Sequence, residues 1–520
     1  MDVRMDSEDG LVVRSPEQMC GQFHSELMTQ LPVWRQRLSQ QPGSFRELEE
    51  QIRLFYGRGG AMLAAGLLAE VSRLPATQQA VAELQQQAVV SLRPAEKRSR
   101  RIQLWGGLIF WITTLYCGPR ERTGQGRGKQ GAGLYVELAA FGFGPGCSPA
   151  VQSNVARQVA LCPSLQLARQ ELERQGLKLN LKAVRRIGEQ TGLRLLTVRK
   201  RELLAWREGR VPAGSELSGK RVAVQIDGGR TRLRTNGPPS PKQGKRRSFS
   251  TDWREPKLLT IFELDERGRM RPRTRAWIDG TFAGPDHLAE LVAFHLHRLG
   301  AASAESVTFA ADGAPWIWDR LPGIVARVGI PRDRVHEVLD FCHAAHHISL
   351  ALTGFGIPEK EHRPLYLEMR RQLRQGQWRR VVADLADMAA DQPAESDMHR
   401  EVNYLRRHGE AGRLSYPTFR RHGLPLGSGA IESSIRRVIN LRLKGNGIFW
   451  LEENAEAVLA LRAAVVCERW DETMDRVSAS MARDNRLDWN WEAADLSLTP
   501  VETSDSNSPP NNVNLGHSAD

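Results

Sequence analysis

Two stretches of this chain end an apolar run on an acid followed by glycine: QIDGG, with Asp227, and AADGA, with Asp312. Val222, Val224 and Ile226 alternate with Ala223 and Gln225, which reads as a strand with one buried face. Asp-Gly is also a common turn pair, so each acid taken alone is either a turn residue or a reactive carboxylate at a sheet edge. Two carboxylates forced together repel, and a divalent cation can compensate that repulsion. Mg²⁺ takes oxygen ligands, usually one or two carboxylates plus substrate phosphates. Paired ions about 4 Å apart can stabilise both the attacking and the leaving oxygen of a phosphoryl transfer. A third acid is then needed, and Glu432 in GSGAIES is the candidate, with Gly427-Ser428-Gly429 letting the chain come close to the sheet. The metal ligands expected are therefore Asp227, Asp312 and Glu432, holding Mg²⁺ or, in its place, Mn²⁺. Arg436, Arg437, Arg442 and Lys444 follow closely and are placed to touch phosphates.

The elements around these acids suggest a fold. RVAVQID, KLLTIFELD and RPRTRAWIDG read as three successive strands in an antiparallel meander, with the polar, basic GGRTRLRTNGPPSPKQGKRRS between the first two as a loop. GPDHLAELVAFHLHRLG is a helix with Leu288, Leu291, Val292 and Leu296 on one face. SVTFAADG is a fourth strand, APWIWDRLPGIVARVG a helix with Pro315 in its first turn, RVHEVLD a fifth strand and FCHAAHHISLALTG a helix. Three strands, helix, strand, helix, strand, helix is the order of a ribonuclease H-like α/β domain. In it the first and fourth strands are neighbours, so Asp227 and Asp312 would converge at one edge.

Around this core the chain divides into a helical N-terminal region over 1–99, a small strand-rich module over 100–147 and a helical segment over 148–215. The core follows over 220–354, a helical insertion over 355–425, the C-terminal helices of the core over 426–480 and a polar tail over 497–520 expected to be disordered. In the 148–215 segment, LNLKAVRRIGEQTGLRLLTVRKRELLAWREG holds two helical pieces about a Thr-Gly. They form either a DNA-reading helix-turn-helix or an ordinary helical hairpin. The 73 Lys and Arg against 60 Asp and Glu give a net charge of +13, which favours a polyanionic partner, nucleic acid first. Six scattered cysteines make neither a metal-binding pair nor a disulfide framework and suit a reduced, intracellular protein. The acidic N-terminus is not a secretory signal. LWGGLIFWITTLYCG is too short for a membrane span and reads as strands, so no membrane partner is expected.

QIDGGR, DWREPKLLTIFELDERGR, FAADGAPWIW, LDFCHAAHH, GSGAIES and RLKGNGIFWLEENAEAVLALRA, in this order, resemble the motifs of DDE transposases of bacterial insertion sequences, most nearly the Kra-type, Mutator-related subgroup. The resemblance covers about residues 180 to 470. It implies that Asp227, Asp312 and Glu432 bind Mg²⁺ and catalyse DNA strand cleavage and transfer at terminal inverted repeats. DFCH resembles the family's Cys/Asp-x-x-His signature, which gives Asp340 and His343 as supporting residues. Lys444 and Trp450 fall in what resembles its C-terminal Lys-Gly-aromatic, DNA-contacting segment. The long gap between Asp312 and Glu432 would be the helical insertion, seen in the Arg-rich amphipathic helix of RPLYLEMRRQLRQGQWRRVVADLADMAA. The family further implies transposon-end and target DNA as partners, a homo-oligomer on paired ends and a bacterial cytoplasmic, nucleoid-associated location. Paired cysteines that often precede the catalytic domain in relatives are reduced here to Cys117.

Other residues compete for these roles. Asp279 in WIDGTF also ends a strand but belongs to the third, away from the first, so a turn role is expected. His343 and His347, four apart on a helix, have zinc-ligand spacing but no second pair nearby. Trp316 and Trp318 are expected in the core. Two other functions keep the same acids or the same charge: a ribonuclease H-like nuclease or resolvase indifferent to transposon ends, and a domesticated, non-catalytic DNA-binding protein.

Overall fold

A computed structural model describes residues 1–7, 10–120, 133–238, 248–393 and 396–496. The Gly-rich stretch over 121–132, the Lys/Arg-rich segment over 239–247 and the tail over 497–520 lie outside the described residues. No described helix is long and apolar enough to cross a membrane.

The N-terminal module holds β1 (Asp2–Met5), β2 (Val12–Val13), α1 (Pro16–Gln40), α2 (Phe45–Val71), α3 (Pro75–Gln86), β3 (Leu92–Gln103), β4 (Ile109–Pro119), β5 (Leu134–Tyr135) and α4 (Val136–Ala140). Its strands form one sheet in the order β2-β1-β4-β3, with β5 paired to β4. A boundary at 99 is therefore wrong. β3 runs through it, and β1 at the extreme N-terminus pairs with β4, so 1–147 is one module. Val3, Met62, Ala65, Phe110 and Ile112 form its shared core.

Next come α5 (Pro149–Leu161), α6 (Leu165–Arg174) and α7 (Leu181–Arg207). The helix-turn-helix and the hairpin both fail here, because α7 is one unbroken helix through Thr191 and Gly192. Both residues are buried. The Thr191 hydroxyl donates to the Ile187 carbonyl at 2.7 Å, and a Cβ at Gly192 would stand 2.7 Å from the Ala457 side chain. Thr-Gly is thus a close helix-packing site rather than a turn.

The central sheet is built from β6 (Arg221–Gly228), β9 (Lys257–Glu263), β10 (Trp277–Thr281), β11 (Ser306–Ala311) and β12 (Val335–Leu339). Its order is β10-β9-β6-β11-β12, antiparallel across the first two pairings and parallel across the last two. Between β6 and β9 the expected loop instead contains a separate two-stranded ribbon, β7 (Thr231–Asn236) with β8 (Phe249–Arg254). The helices α8 (Pro285–Leu299), α9 (Pro315–Trp318), α10 (Leu321–Val328) and α11 (Phe341–Gly354) follow their strands. The insertion comprises α12 (Glu359–Arg374), α13 (Trp378–Met388), α14 (Asp397–Glu410) and α15 (Tyr416–Arg421). Its Arg-rich stretch is two helices, not one, divided at Gly376 in the left-handed conformation (φ 82°). The chain returns through α16 (Gly429–Ile435), a π-helical turn over Arg436–Asn440, α17 (Glu452–Val466) and α18 (Trp470–Ala479).

The two faces of β6 set the layers. Val222, Val224 and Ile226 join Leu288, Leu291, Val292 and Leu296 of α8 in the largest core cluster. Ala223, Gln225 and Asp227 point to the other face, which is covered by α16 and α17 through Ile431, Ile435, Val458 and Leu459.

Candidate active site

Three acids stand side by side at one edge of this sheet because of strand register. Ile226 pairs with Ala311 and Ala311 with Leu339 in parallel ladders, so the next residues are Asp227, Asp312 and Asp340 on adjacent strands. Each carboxylate then meets a different environment. Asp227 is partly buried and accepts from the Gly228 N–H at 2.6 Å. Burial above all, with the Asp312 and Glu432 carboxylates adding to it, pushes its pKa up to about 6; the Gly228 N–H and His343 oppose the rise. Asp312 caps its own turn, accepting from the Ala314 N–H at 3.1 Å, and its carbonyl accepts from the Trp318 indole at 2.8 Å. Trp318 is thus a core residue that also holds the Asp312 turn. Gly313 is required at the next position, since a Cβ there would lie 2.1 Å from the Tyr404 ring of α14.

Asp340 is not available as a ligand. It is buried and caps α11, accepting from Cys342 N–H at 2.6 Å and His343 N–H at 3.1 Å through one oxygen. The other oxygen accepts from the Ser428 backbone and from its hydroxyl, the latter at 2.7 Å. Asp340 therefore ties the segment before Glu432 to the strand edge. Gln225, which its sequence context alone does not single out as a site residue, does the same from β6. Its amide donates to the Gly427 carbonyl and accepts from the Ile431 N–H, both at 3.0 Å. Ser434 completes the docking through Thr260 of β9 at 3.1 Å. The one signal for Gln225 is that it is an amide in an apolar strand, since a buried amide must find partners.

Held this way, α16 carries Glu432 exposed at the site while Ile431 and Ile435 are buried beneath it. His343 is half-buried on the first turn of α11 and, with Asp312, lines a cavity of about 810 Å³. The far wall of that cavity is α14, with Arg400, Tyr404 and Arg407. His347 pairs with Glu401 and stacks on Tyr404 at 3.5 Å.

Among the described residues no three His, Cys, Asp or Glu side chains stand close enough as placed to hold a metal ion. The donor chemistry still fits a hard cation. Asp227, Asp312 and Glu432 offer only carboxylate oxygens, and their mutual repulsion is what a divalent charge would relieve. Asp312 and Glu432 add to the rise in the Asp227 pKa, behind the larger effect of burial.

The predicted phosphate contacts divide. Arg436, Arg437 and Lys444 are exposed. Arg442 is not free for DNA: it is buried, and its guanidinium donates to the Val159 and Pro163 carbonyls at the end of α5. Trp450 is an anchor, its indole donating to the Leu443 carbonyl at 3.0 Å and its ring lying 4.8 Å from the Arg442 guanidinium. Asp279 is not a turn residue either. It lies inside β10, buried, and pairs with Arg199 at 3.1 Å and His295 at 2.9 Å. Burial would raise its pKa, yet Arg199 and His295 hold it down to about 2.

No family model matches this chain, and no curated protein or solved structure matches it.

Proposed function

We propose that this chain is a DNA transposase of the insertion-sequence kind. It would bind terminal inverted repeats and cleave and transfer DNA strands through Asp227, Asp312 and Glu432. The observation that carries this reading is the register of β6 and β11, which sets Asp227 beside Asp312, while Gln225 and Asp340 tether the segment leading to Glu432 onto the same edge. The sheet is taken in the same reading as a ribonuclease H-like core, on its strand order and its mixture of antiparallel and parallel pairings.

Mg²⁺ or Mn²⁺ bound by the three carboxylates would activate water and the transferred phosphate as a Lewis acid. The chain's own residues do the rest. Asp340 and Gln225 fix α16, Trp318 and Tyr404 brace the turn that carries Asp312, and His343 faces the cavity where a scissile phosphate would lie. Arg436, Arg437 and Lys444 are exposed to neutralise the DNA backbone. The partners are transposon-end and target DNA, held by a homo-oligomer in the bacterial cytoplasm at the nucleoid.

The test is an excision and integration assay in cells, using the gene with its native flanks. Wild type is expected to move the element, while Asp227→Asn, Asp312→Asn and Glu432→Gln at equal protein levels abolish movement. Unchanged movement in one variant removes that residue from the site. Magnesium-dependent nicking of plain DNA without movement would point to a nuclease instead.

A further inference from the structure

The ribbon β7–β8 has two unlike faces. In an antiparallel pair, residues opposite each other share a face. Arg232 is opposite Trp253, Arg234 opposite Thr251 and Asn236 opposite Phe249, so these six residues lie together. Arg230 joins them by alternation. This face carries three arginines and no acid, and the ribbon's one acid, Asp252, lies on the other side, near Arg254 at 3.8 Å. Every residue of β8 is exposed, and Trp253 and Phe249 remain 43% and 47% exposed. The arginines are drawn up over these rings: Arg230 and Arg232 lie 5.1 and 4.8 Å from Trp253, and Arg234 lies 5.8 Å from Phe249.

The reverse face explains why this arrangement holds its shape. Thr231 and Leu233 are buried, and the Thr231 hydroxyl donates to the Leu443 carbonyl at 2.7 Å. Arg234 N–H donates to the Trp450 carbonyl at 2.7 Å, and Trp450 N–H donates to the Arg232 carbonyl at 3.2 Å. The ribbon is therefore clamped along one side by the segment after α16. Only Gly228 and Gly229 separate Asp227 from Arg230.

We propose that the Arg230/Arg232/Arg234 face of this ribbon is a duplex-DNA contact, gripping the groove next to the reacting phosphodiester. A two-stranded ribbon fits the major groove, and a one-signed basic face against polyanionic DNA supplies the charge complementarity. Stacking on Trp253 and Phe249 orders the guanidinia in advance, so less side-chain entropy is lost on binding. Large exposed rings on an otherwise polar ribbon mark a contact surface. The inference rests on the transposase reading for its partner but not on the three acids.

The experiment measures binding of the full chain to a fluorescein-labelled duplex of arbitrary sequence, without divalent metal, over a range of salt. Arg232→Gln/Arg234→Gln is expected to weaken binding and to lower the slope of log affinity against log salt by about 2, since each phosphate left without its arginine takes about 0.9 from the slope. Arg232→Lys/Arg234→Lys should restore the slope, and equal thermal midpoints for all three proteins exclude a folding defect. An unchanged slope in the Gln variant, with wild type binding well, overturns the ribbon contact and leaves the catalytic reading standing. Failure of wild type to bind the duplex overturns both. Weakened binding confined to a single-stranded oligo-dT probe, with duplex binding intact, overturns the duplex assignment.

Discussion

At the scale of the residue, Asp227 is held in a state that conflicts with stability. Its pKa is about 6 in the folded chain against an ordinary value of 3.8. A raised carboxyl pKa means the folded state prefers the protonated form, so this group's contribution to stability falls as pH rises from about 4 to about 6 and stays low above that. Asp227→Asn is expected to stabilise the metal-free protein at pH 7.5 by up to about 3 kcal/mol, at 1.36 kcal/mol per pKa unit, and to do little near pH 4. Urea midpoints of the two proteins across that pH range test it. Equal midpoints at pH 7.5 would mean that Asp227 bears no such strain. A residue that costs stability where it stands is what a functional carboxylate is expected to be.

At the scale of the element, α16 is short and docked by polar tethers as well as by its apolar side. Gln225→Leu removes two hydrogen bonds and leaves the Gly427 carbonyl and Ile431 N–H without those partners. We expect a destabilisation of about 2 kcal/mol, in the range for orphaned buried groups. Hydrogen exchange across 427–435 should rise before exchange elsewhere does. Uniform deprotection over the whole sheet would show that Gln225 supports the core at large, not α16. On the proposed transposase reading, excision in the cellular assay should fall with the loosening of α16, the helix that carries Glu432.

At the scale of the whole molecule, one buried ion network joins three distant parts of the chain. Arg199 of α7 bridges Asp279 of β10 and Glu456 of α17, at 3.1 and 2.6 Å, and Glu456 also accepts from the Phe282 N–H at 2.7 Å. Removing the cation strands two buried carboxylates, so Arg199→Met should cost about 3–5 kcal/mol, the usual magnitude for a broken buried pair. Because Asp279 sits at about 2, its share of stability is present above its ordinary value and is lost as pH falls towards 2. A wild-type acid-unfolding curve steeper between pH 4 and 2 than that of Arg199→Met checks the sign.

What could be read from the sequence was local. VAVQID and TFAAD mark strands by their apolar, β-branched content, but the single buried face expected from the alternation in VAVQID is not what forms: Val222–Ile226 and Ser306–Ala311 are buried on both faces. The apolar positions of α8 repeat at the helical period. Glu432 in its glycine-flanked segment could be singled out for the same reason, by residue type and spacing. Partner choice was not local. The ribbon β7–β8 reads as a loop because its sequence is polar and basic; Leu233 and Thr231 are buried only where β7 bridges to Trp450 and the Thr231 hydroxyl donates to the Leu443 carbonyl. Thr191-Gly192 reads as a break because the surface of α17 that requires a small residue lies far away in sequence. Asp279 and Arg442 look like free acid and free base until Arg199 and the end of α5 are brought against them. Composition and period marked the strands and helices of the central sheet, β6, β9, β10, β11 and β12 with α8 and α11. Only the tertiary structure decided which charges are neutralised inside the molecule and which remain for a partner, because that depends on burial and on contacts between residues hundreds of positions apart.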